Sequence, residues 1–222
     1  MAPPGSTRAG WSTPSPIWTS PAAIARKPAQ RYPGRVLHLA SQSPQRAELL
    51  RRAGIPFAVV ATRGDEETVT GTHAQRLALE RAQVKGRGAA VADGLVLAAD
   101  TVVALGSRII GTPRDEADAR ELLTALGGTT HTVITGHWLG RFAGGAPASE
   151  ASALTMARVT MRPFTAAELD AYLATGEWRG RAGAYAIQES GDRFVTDVQG
   201  ALGTVIGLHV DTVRRLMLEV GA

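Results

Sequence analysis

The stretch Leu95-Val96-Leu97-Ala98-Ala99-Asp100-Thr101-Val102-Val103-Ala104-Leu105 is apolar except for Thr101 and a single acid, Asp100. Its length suits one strand and falls well short of the roughly 20 apolar residues that span a bilayer. A continuous run of this kind belongs in a core strand. An unpaired carboxylate buried there costs several kcal/mol. Asp100 must therefore meet a cation, a metal or a substrate, or lie where the strand reaches the surface. The reading without function is an acid at a strand end or bulge that caps a neighbouring loop.

The flanking sequence supplies the helices. Val36–Ala40 alternates as a strand and runs into Ser41-Gln42-Ser43-Pro44, with Ser43 as candidate N-cap and Pro44 as first helical residue. Leu49, Leu50 and Ala53 give that helix an apolar face, and Gly54 ends it. Phe57–Ala61 reads as a short strand, 74–92 as a helix, and 114–126 as another helix stopped by Gly127-Gly128. Strands at 131–138 and 151–161, a helix at 165–174, a strand at 194–198 and a closing helix from Val205 complete the series. Helices and strands alternate with no repeat at a fixed period, which predicts the α/β class.

Residues 1–35 differ from the rest. They hold 7 of the 12 prolines and five basic residues but no Asp or Glu, and they have no apolar period. They read as a disordered N-terminal extension ahead of a domain over 36–222. An Arg-rich, acid-free leader also resembles an organelle transit segment and lacks the apolar core of a secretory signal. The net charge of +4 arises in this segment, since the remainder carries 19 basic and 20 acidic residues. With no basic face or recognition motif in evidence, no nucleic-acid partner is expected, and with no long apolar run, no membrane partner. The absence of cysteine excludes disulfide frameworks, thiolate zinc sites and cysteine nucleophiles, and suits a reducing compartment.

Several residues could do chemistry. The turn Ser41-Gln42-Ser43-Pro44 leaves orphan N–H groups and the positive end of a helix dipole above a strand, an anion site to which Ser41 and Ser43 add hydroxyls and Arg46 a guanidinium. The same Ser-Pro cap starts many ordinary helices. Asp65-Glu66-Glu67 offers the hard oxygen ligands that Mg2+ prefers, or simply a solvated acidic turn. Arg81 and Lys85 are four apart on one helix face, where two cations could meet a polyphosphate or lie in solvent. Gln188 follows the small-residue stretch Gly183-Ala184-Tyr185-Ala186-Ile187, and its amide can donate to and accept from a nucleobase edge. The five histidines show no metal-ligand spacing and read as packing or surface residues.

Together these features describe a site for a metal-bound phosphate ester. The segment Leu39-Ala40-Ser41-Gln42-Ser43-Pro44-Gln45-Arg46-Ala47-Glu48-Leu49-Leu50 resembles the SxSPRRxELL opening of the Maf family of nucleoside triphosphate pyrophosphatases. Asp65-Glu66-Glu67 falls at that family's DEE, Ala99-Asp100-Thr101 at its ADT, Gly111-Thr112-Pro113-Arg114-Asp115 at its GKPxD, and Gly183–Gln188 at its GAYGIQ. The motifs keep their order over about residues 36–220.

The resemblance implies a cytoplasmic enzyme that cuts a nucleoside triphosphate between its α- and β-phosphates with Mg2+ or Mn2+. The implied fold is a mixed, curved sheet flanked by helices, in two lobes with a substrate cleft between them. Asp100 would be the proton acceptor, Glu67 and Asp100 the metal-holding carboxylates, and Ser41, Ser43, Arg46, Arg81, Lys85 and Thr112 the phosphate-binding set. Gln45, Thr101 and Gln188 would set specificity, with the YxIQ-like segment pointing to dTTP and UTP or a modified pyrimidine nucleotide. Three positions depart from the pattern: Gln45 replaces the first motif arginine, Arg81 a helix lysine, and Thr112 the lysine of GKP. The alternatives carried from here are a methylated guanine nucleotide as substrate and a non-catalytic nucleotide-binding regulator of cell division. A homodimer is compatible with either.

Overall fold

The structure, a computed structural model, describes residues 37–221; the extension expected at 1–35 lies outside them. Seven strands form one mixed sheet in the order β2-β1-β3-β5-β6-β7, with β4 also paired to β3. The strands are β1 (Leu37–Leu39), β2 (Phe57–Val59), β3 (Gly94–Leu105), β4 (Arg108–Ile110), β5 (Thr130–Ala143), β6 (Ala146–Met161) and β7 (Val195–Gln199). Strand β1 is parallel to β2 and β3, and every other pairing is antiparallel. The α/β class and the mixed sheet flanked by helices are as expected.

Side-chain alternation along β3 decides which helix covers which residue. Leu95, Leu97 and Ala99 face a cluster with Leu37, Leu39, Leu49, Leu50, Val213 and Leu216, where α1 (Pro44–Arg52) and α6 (Val210–Glu219) pack. Val96 and Ala98 face the other way, towards Ala82 of α2 (Ala74–Arg87) and the fully buried Trp138. The same alternation directs Asp100 to the α2 face and Thr101 to the α1 face. A third cluster surrounds α3 (Glu116–Leu126) and α4 (Ala166–Leu173), with Val103, Ile110, Leu123, Tyr172, Tyr185 and Phe194.

One edge of β3 has two different neighbours. β1 pairs with it over Leu95–Leu97 and β4 over Val103–Leu105, so among the described residues 98–102 have no strand on that side. Asp100 sits in this opening, level with the end of β1 and the start of α1.

Several boundaries differ from the sequence reading for local reasons. Helix α2 stops at Arg87 with Gly88 as its C-cap, five residues earlier than predicted. Helix α3 starts two residues late because Asp115 takes the N-cap and accepts from the Asp118 N–H. The predicted strands at 131–138 and 151–161 are the middles of a much longer hairpin. Its turn is Gly144-Gly145, both with positive φ (60° and 86°), the two-residue connection that matches strand twist. The closing helix is broken into α5 (Leu202–Ile206) and α6 by Gly207 at φ 114°. Strand β4 was not read at all, being three residues long.

His131 and His137 are both buried on β5. Burial pulls His131 down to about 4; burial, assisted by the Arg46 charge, pulls His137 down to about 3. Unfolded imidazoles accept protons below about 6.5 while these two do not, so the stability they confer is complete above that pH and is lost as pH falls towards about 4 and about 3. The denaturant midpoint is expected to drop between pH 7 and pH 5 by the equivalent of about 2 kcal/mol for each histidine. A midpoint constant over that range would contradict their neutral burial.

Candidate active site

A cavity of about 300 Å³ opens beside the unpaired stretch of β3. Its charged wall comes from Arg46, Glu66, Glu67, Arg81, Lys85, Asp100 and Arg181, while Val103, Val133, Tyr185 and Ile187 supply apolar wall.

Ser43 is the N-cap of α1 and Pro44 its first residue, as the sequence predicts; the Ser43 hydroxyl accepts from the Arg46 N–H and donates to Gln45 Oε1 at 3.0 Å. The Arg46 side chain is buried and leaves the first helical turn to cross the floor of the cavity. Its Nε donates to the Gly207 carbonyl at 2.9 Å, Nη1 to Ser41 Oγ at 3.0 Å and Nη2 to Thr101 Oγ1 at 3.2 Å. Three of its five N–H groups are thereby used, leaving one on each terminal nitrogen. Burial pulls the guanidinium down from its ordinary value while Asp100 and Glu66 hold it up, and it stays charged at neutral pH. Gly207 is essential to this arrangement. Its left-handed φ turns its carbonyl onto Arg46, and a Cβ there would stand 3.1 Å from Thr101 Oγ1 and 3.3 Å from Arg46 Nε.

On the opposite face of β3, Lys85 Nζ reaches from α2 to Asp100 Oδ1 at 2.8 Å and to Glu66 Oε1 at 2.9 Å. Glu66 and Glu67 sit on a single 3-10 turn, Glu66–Thr68, capped by Asp65, whose Oδ1 accepts from the Glu67 N–H. Burial pushes the Glu66 carboxyl up, but the Lys85 hydrogen bond and charge prevail and hold it below its ordinary value. Asp100 is 8% exposed, and its Oδ2 is buried without a hydrogen-bond partner. Arg81, one turn before Lys85, donates through Nε and Nη2 to the Val69 carbonyl.

The far wall is the segment 182–188. Gly183 N–H is bonded to the Gly111 carbonyl beside Thr112, Ala186 N–H to Tyr172 Oη, and Tyr185 Oη to His131 Nε2 at 2.9 Å. Burial pushes the Tyr185 hydroxyl well above its ordinary value, so it stays neutral. Ala184 takes φ 60°, a left-handed conformation that costs a residue with a Cβ of order 1 kcal/mol and is found where a binding wall is held in a fixed shape.

The cavity therefore brings together Ser43, Gln45, Arg46, Glu67, Arg81, Lys85, Asp100, Thr101, Thr112 and Gln188, residues scattered over much of the chain. Ser41 stands behind Arg46, not on the cavity wall, and accepts from the Arg46 guanidinium and from the Ser43 N–H. Sequence reasoning did not single out Glu66 for Lys85 or place Arg181 in the wall. Arg181, paired with Glu189 at 2.8 Å, lies two residues ahead of the Gly183–Gln188 motif, and no local pattern distinguishes it from other surface arginines.

The Maf-like protein family matches this chain over residues 36–220. The chain belongs to the Maf-like family. Among curated relatives, this Maf-like chain is 43% identical over 185 residues to a dTTP/UTP pyrophosphatase of Anaeromyxobacter sp. (strain Fw109-5), covering 83% of the chain and 89% of that protein. Proteins of the same name from Alcanivorax borkumensis and Deinococcus radiodurans are 39% and 40% identical, covering 82% and 87% of this chain and 94% and 96% of their own lengths. A solved nucleoside-triphosphatase / dITP/XTP pyrophosphatase from Mycobacterium abscessus aligns with 83% of this Maf-like chain and 93% of its own, at 13% identity and a TM-score of 0.38.

Among the described residues no three His, Cys, Asp or Glu side chains gather to hold a metal unaided. The donors present nevertheless fit Mg2+ or Mn2+ held by two carboxylates, with water or substrate oxygens completing the shell. Asp100, whose Oδ2 has no hydrogen-bond partner, and Glu67 both line the cavity, and Mg2+ is commonly held by one or two carboxylates with water and phosphate oxygens around them. No helix among the described residues is long and apolar enough to cross a membrane.

Proposed function

We propose that this Maf-like chain hydrolyses a nucleoside triphosphate, dTTP or UTP, to the nucleoside monophosphate and pyrophosphate. The observation that carries the reading is Asp100: a carboxylate on the wall of a cavity lined by cations, fixed through Oδ1 by Lys85, with a second oxygen, Oδ2, that has no hydrogen-bond partner. The names of the relatives supply the pyrimidine preference, and Gln188 is the amide placed to meet a base edge.

In this reading the triphosphate lies along Arg46, Arg81, Lys85 and Arg181, with the α1 N-terminus and Ser43 adding backbone and hydroxyl donors. Water attacks the α-phosphorus; the bond from that phosphorus to the α,β-bridging oxygen breaks, and pyrophosphate leaves with the electron pair. The Asp100 carboxylate accepts the proton that the water loses. The free N–H groups of Arg46 meet charge that develops on the α-phosphate oxygens, held there by Ser41, Thr101 and Gly207. Glu67 and Asp100 are the residues that would hold Mg2+ or Mn2+, and such a cation neutralises phosphate charge. The cavity lies between the α1–α6 cluster and the α3–α4 cluster, which supports two lobes with a cleft between them.

The test is pyrophosphate release from a panel of canonical nucleoside triphosphates and a 7-methylguanosine triphosphate, with Mg2+ or Mn2+. Fastest turnover of dTTP and UTP supports the reading. Preference for the methylated guanine nucleotide would transfer the specificity, and binding without release from any of them would make the protein a nucleotide-binding regulator.

Thr112 lines the cavity where the family motif has lysine. Thr112→Lys is expected to lower the Michaelis constant for the triphosphate about three- to tenfold, by returning a cation to a site that must offset several phosphate charges. An unchanged constant would mean that Lys85 or Arg181 already meets those oxygens.

A further inference from the structure

Lys85 is more closely engaged than a phosphate-binding lysine needs to be. It is one of only two lysines in the chain, with Lys27, where basic positions are otherwise arginine. Its side chain is 12% exposed, and Nζ lies between two carboxylate oxygens, Glu66 Oε1 at 2.9 Å and Asp100 Oδ1 at 2.8 Å. Lysine carries its charge as a compact point on a flexible stem, so it can fill the space between two acids as a small metal ion would and can swing away from it.

The acidic loop does not depend on that ammonium for its position. Thr62 Oγ1 donates to the Lys85 carbonyl at 2.6 Å and Arg63 N–H to the Gly88 carbonyl at 2.8 Å, which pins the segment before Glu66 to the end of α2 through backbone groups. Gly64 packs so closely on this helix that a Cβ would stand 2.1 Å from the Val84 carbonyl oxygen. The backbone that carries Glu66 thus stays beside α2 whether or not Nζ is charged, and removing the charge leaves two neighbouring carboxylates whose repulsion another cation can relieve.

We propose that the Lys85 ammonium is a built-in counter-cation of the Glu66–Asp100 pair, which a divalent cation displaces on binding. The displaced ammonium is then free to turn to the triphosphate. The inference rests on the proposed reading of Asp100 as a carboxylate that holds the metal and adds Glu66 beside it, and it concerns binding, not turnover.

Two measurements on the full chain, both without nucleotide, test it. An amine-acylating reagent followed by peptide mass spectrometry reads Lys85 and Lys27 separately. Saturating Mn2+ is expected to speed labelling of Lys85 at least about threefold and to leave Lys27 unchanged. Unchanged or slower labelling of Lys85 overturns the proposal, and this arm needs no variant to fold. Lys85→Met is expected to bind Mn2+ about tenfold more tightly than the wild type, read by the electron paramagnetic resonance of free Mn2+, while Lys85→Arg, which keeps the charge, stays near the wild type. Equal or weaker Mn2+ binding by Lys85→Met shows an organising lysine and also overturns it. A wild type that releases pyrophosphate while Lys85 labelling ignores Mn2+ defeats this inference alone; one whose Lys85 is released by Mn2+ but which hydrolyses nothing defeats the proposed function alone.

Discussion

Asp100→Asn is expected to fold and to bind nucleotide, yet to turn over about 10^2 to 10^4 times more slowly, the usual worth of a general base. The amide keeps an oxygen that can accept from Lys85, so the contact across β3 and α2 survives. What disappears is the proton-accepting carboxylate. Ground-state affinity should hold or improve, because a negative charge leaves a site for a polyanion. The measurements are turnover and nucleotide affinity at saturating Mg2+, with circular dichroism to verify folding. Near-normal turnover would remove Asp100 as the base. Loss of fold would make it a structural acid of the strand, and a selective loss of metal affinity would make it a ligand.

Arg46→Lys should be nearly as damaging although it keeps the charge. One ammonium cannot reach the Gly207 carbonyl, Ser41 Oγ and Thr101 Oγ1 together as the planar guanidinium does. Buried acceptors left without a donor cost about 1–3 kcal/mol in stability. Loss of a fixed donor at the reacting phosphate should lower kcat/KM by about 10^2 to 10^3. The comparison that separates the two effects is Ser41→Ala, which removes one support of Arg46 and leaves the guanidinium in place. If Arg46 acts on the phosphate, Arg46→Lys loses far more kcat than Ser41→Ala at similar thermal stability. Equal losses in both would make Arg46 a structural clamp.

Much of the fold was legible because local chemistry specified it. Ser43-Pro44 starts α1 since a hydroxyl cap and a preset φ both favour a helix there. The apolar run of β3 could only be a covered strand. The reading failed where tertiary pairing overrides local pattern. Residues 139–142 and 146–150 are strand because β5 and β6 pair across the Gly144-Gly145 turn, although Gly140, Pro147 and the small residues beside it lie outside the strands predicted from sequence. The break at Gly207 was also hidden, because its value lies in a carbonyl delivered to a side chain 161 residues earlier.

The site divides in the same way. Sequence by itself determined the family and singled out Asp100: a carboxylate cannot stay unpaired in an apolar strand, so Asp100 announced a partner, and the motifs around it placed the chain among its relatives. Only the tertiary structure decided what that partner is. The alternation of β3 sends Asp100 to Lys85 on one face and Thr101 to Arg46 on the other, and the gap between β1 and β4 opens both to one cavity. A one-residue offset in side-chain direction, and the absence of a neighbouring strand over residues 98–102, are properties of the assembled sheet. No spacing along the chain encodes them, because they depend on which strands come to lie beside β3.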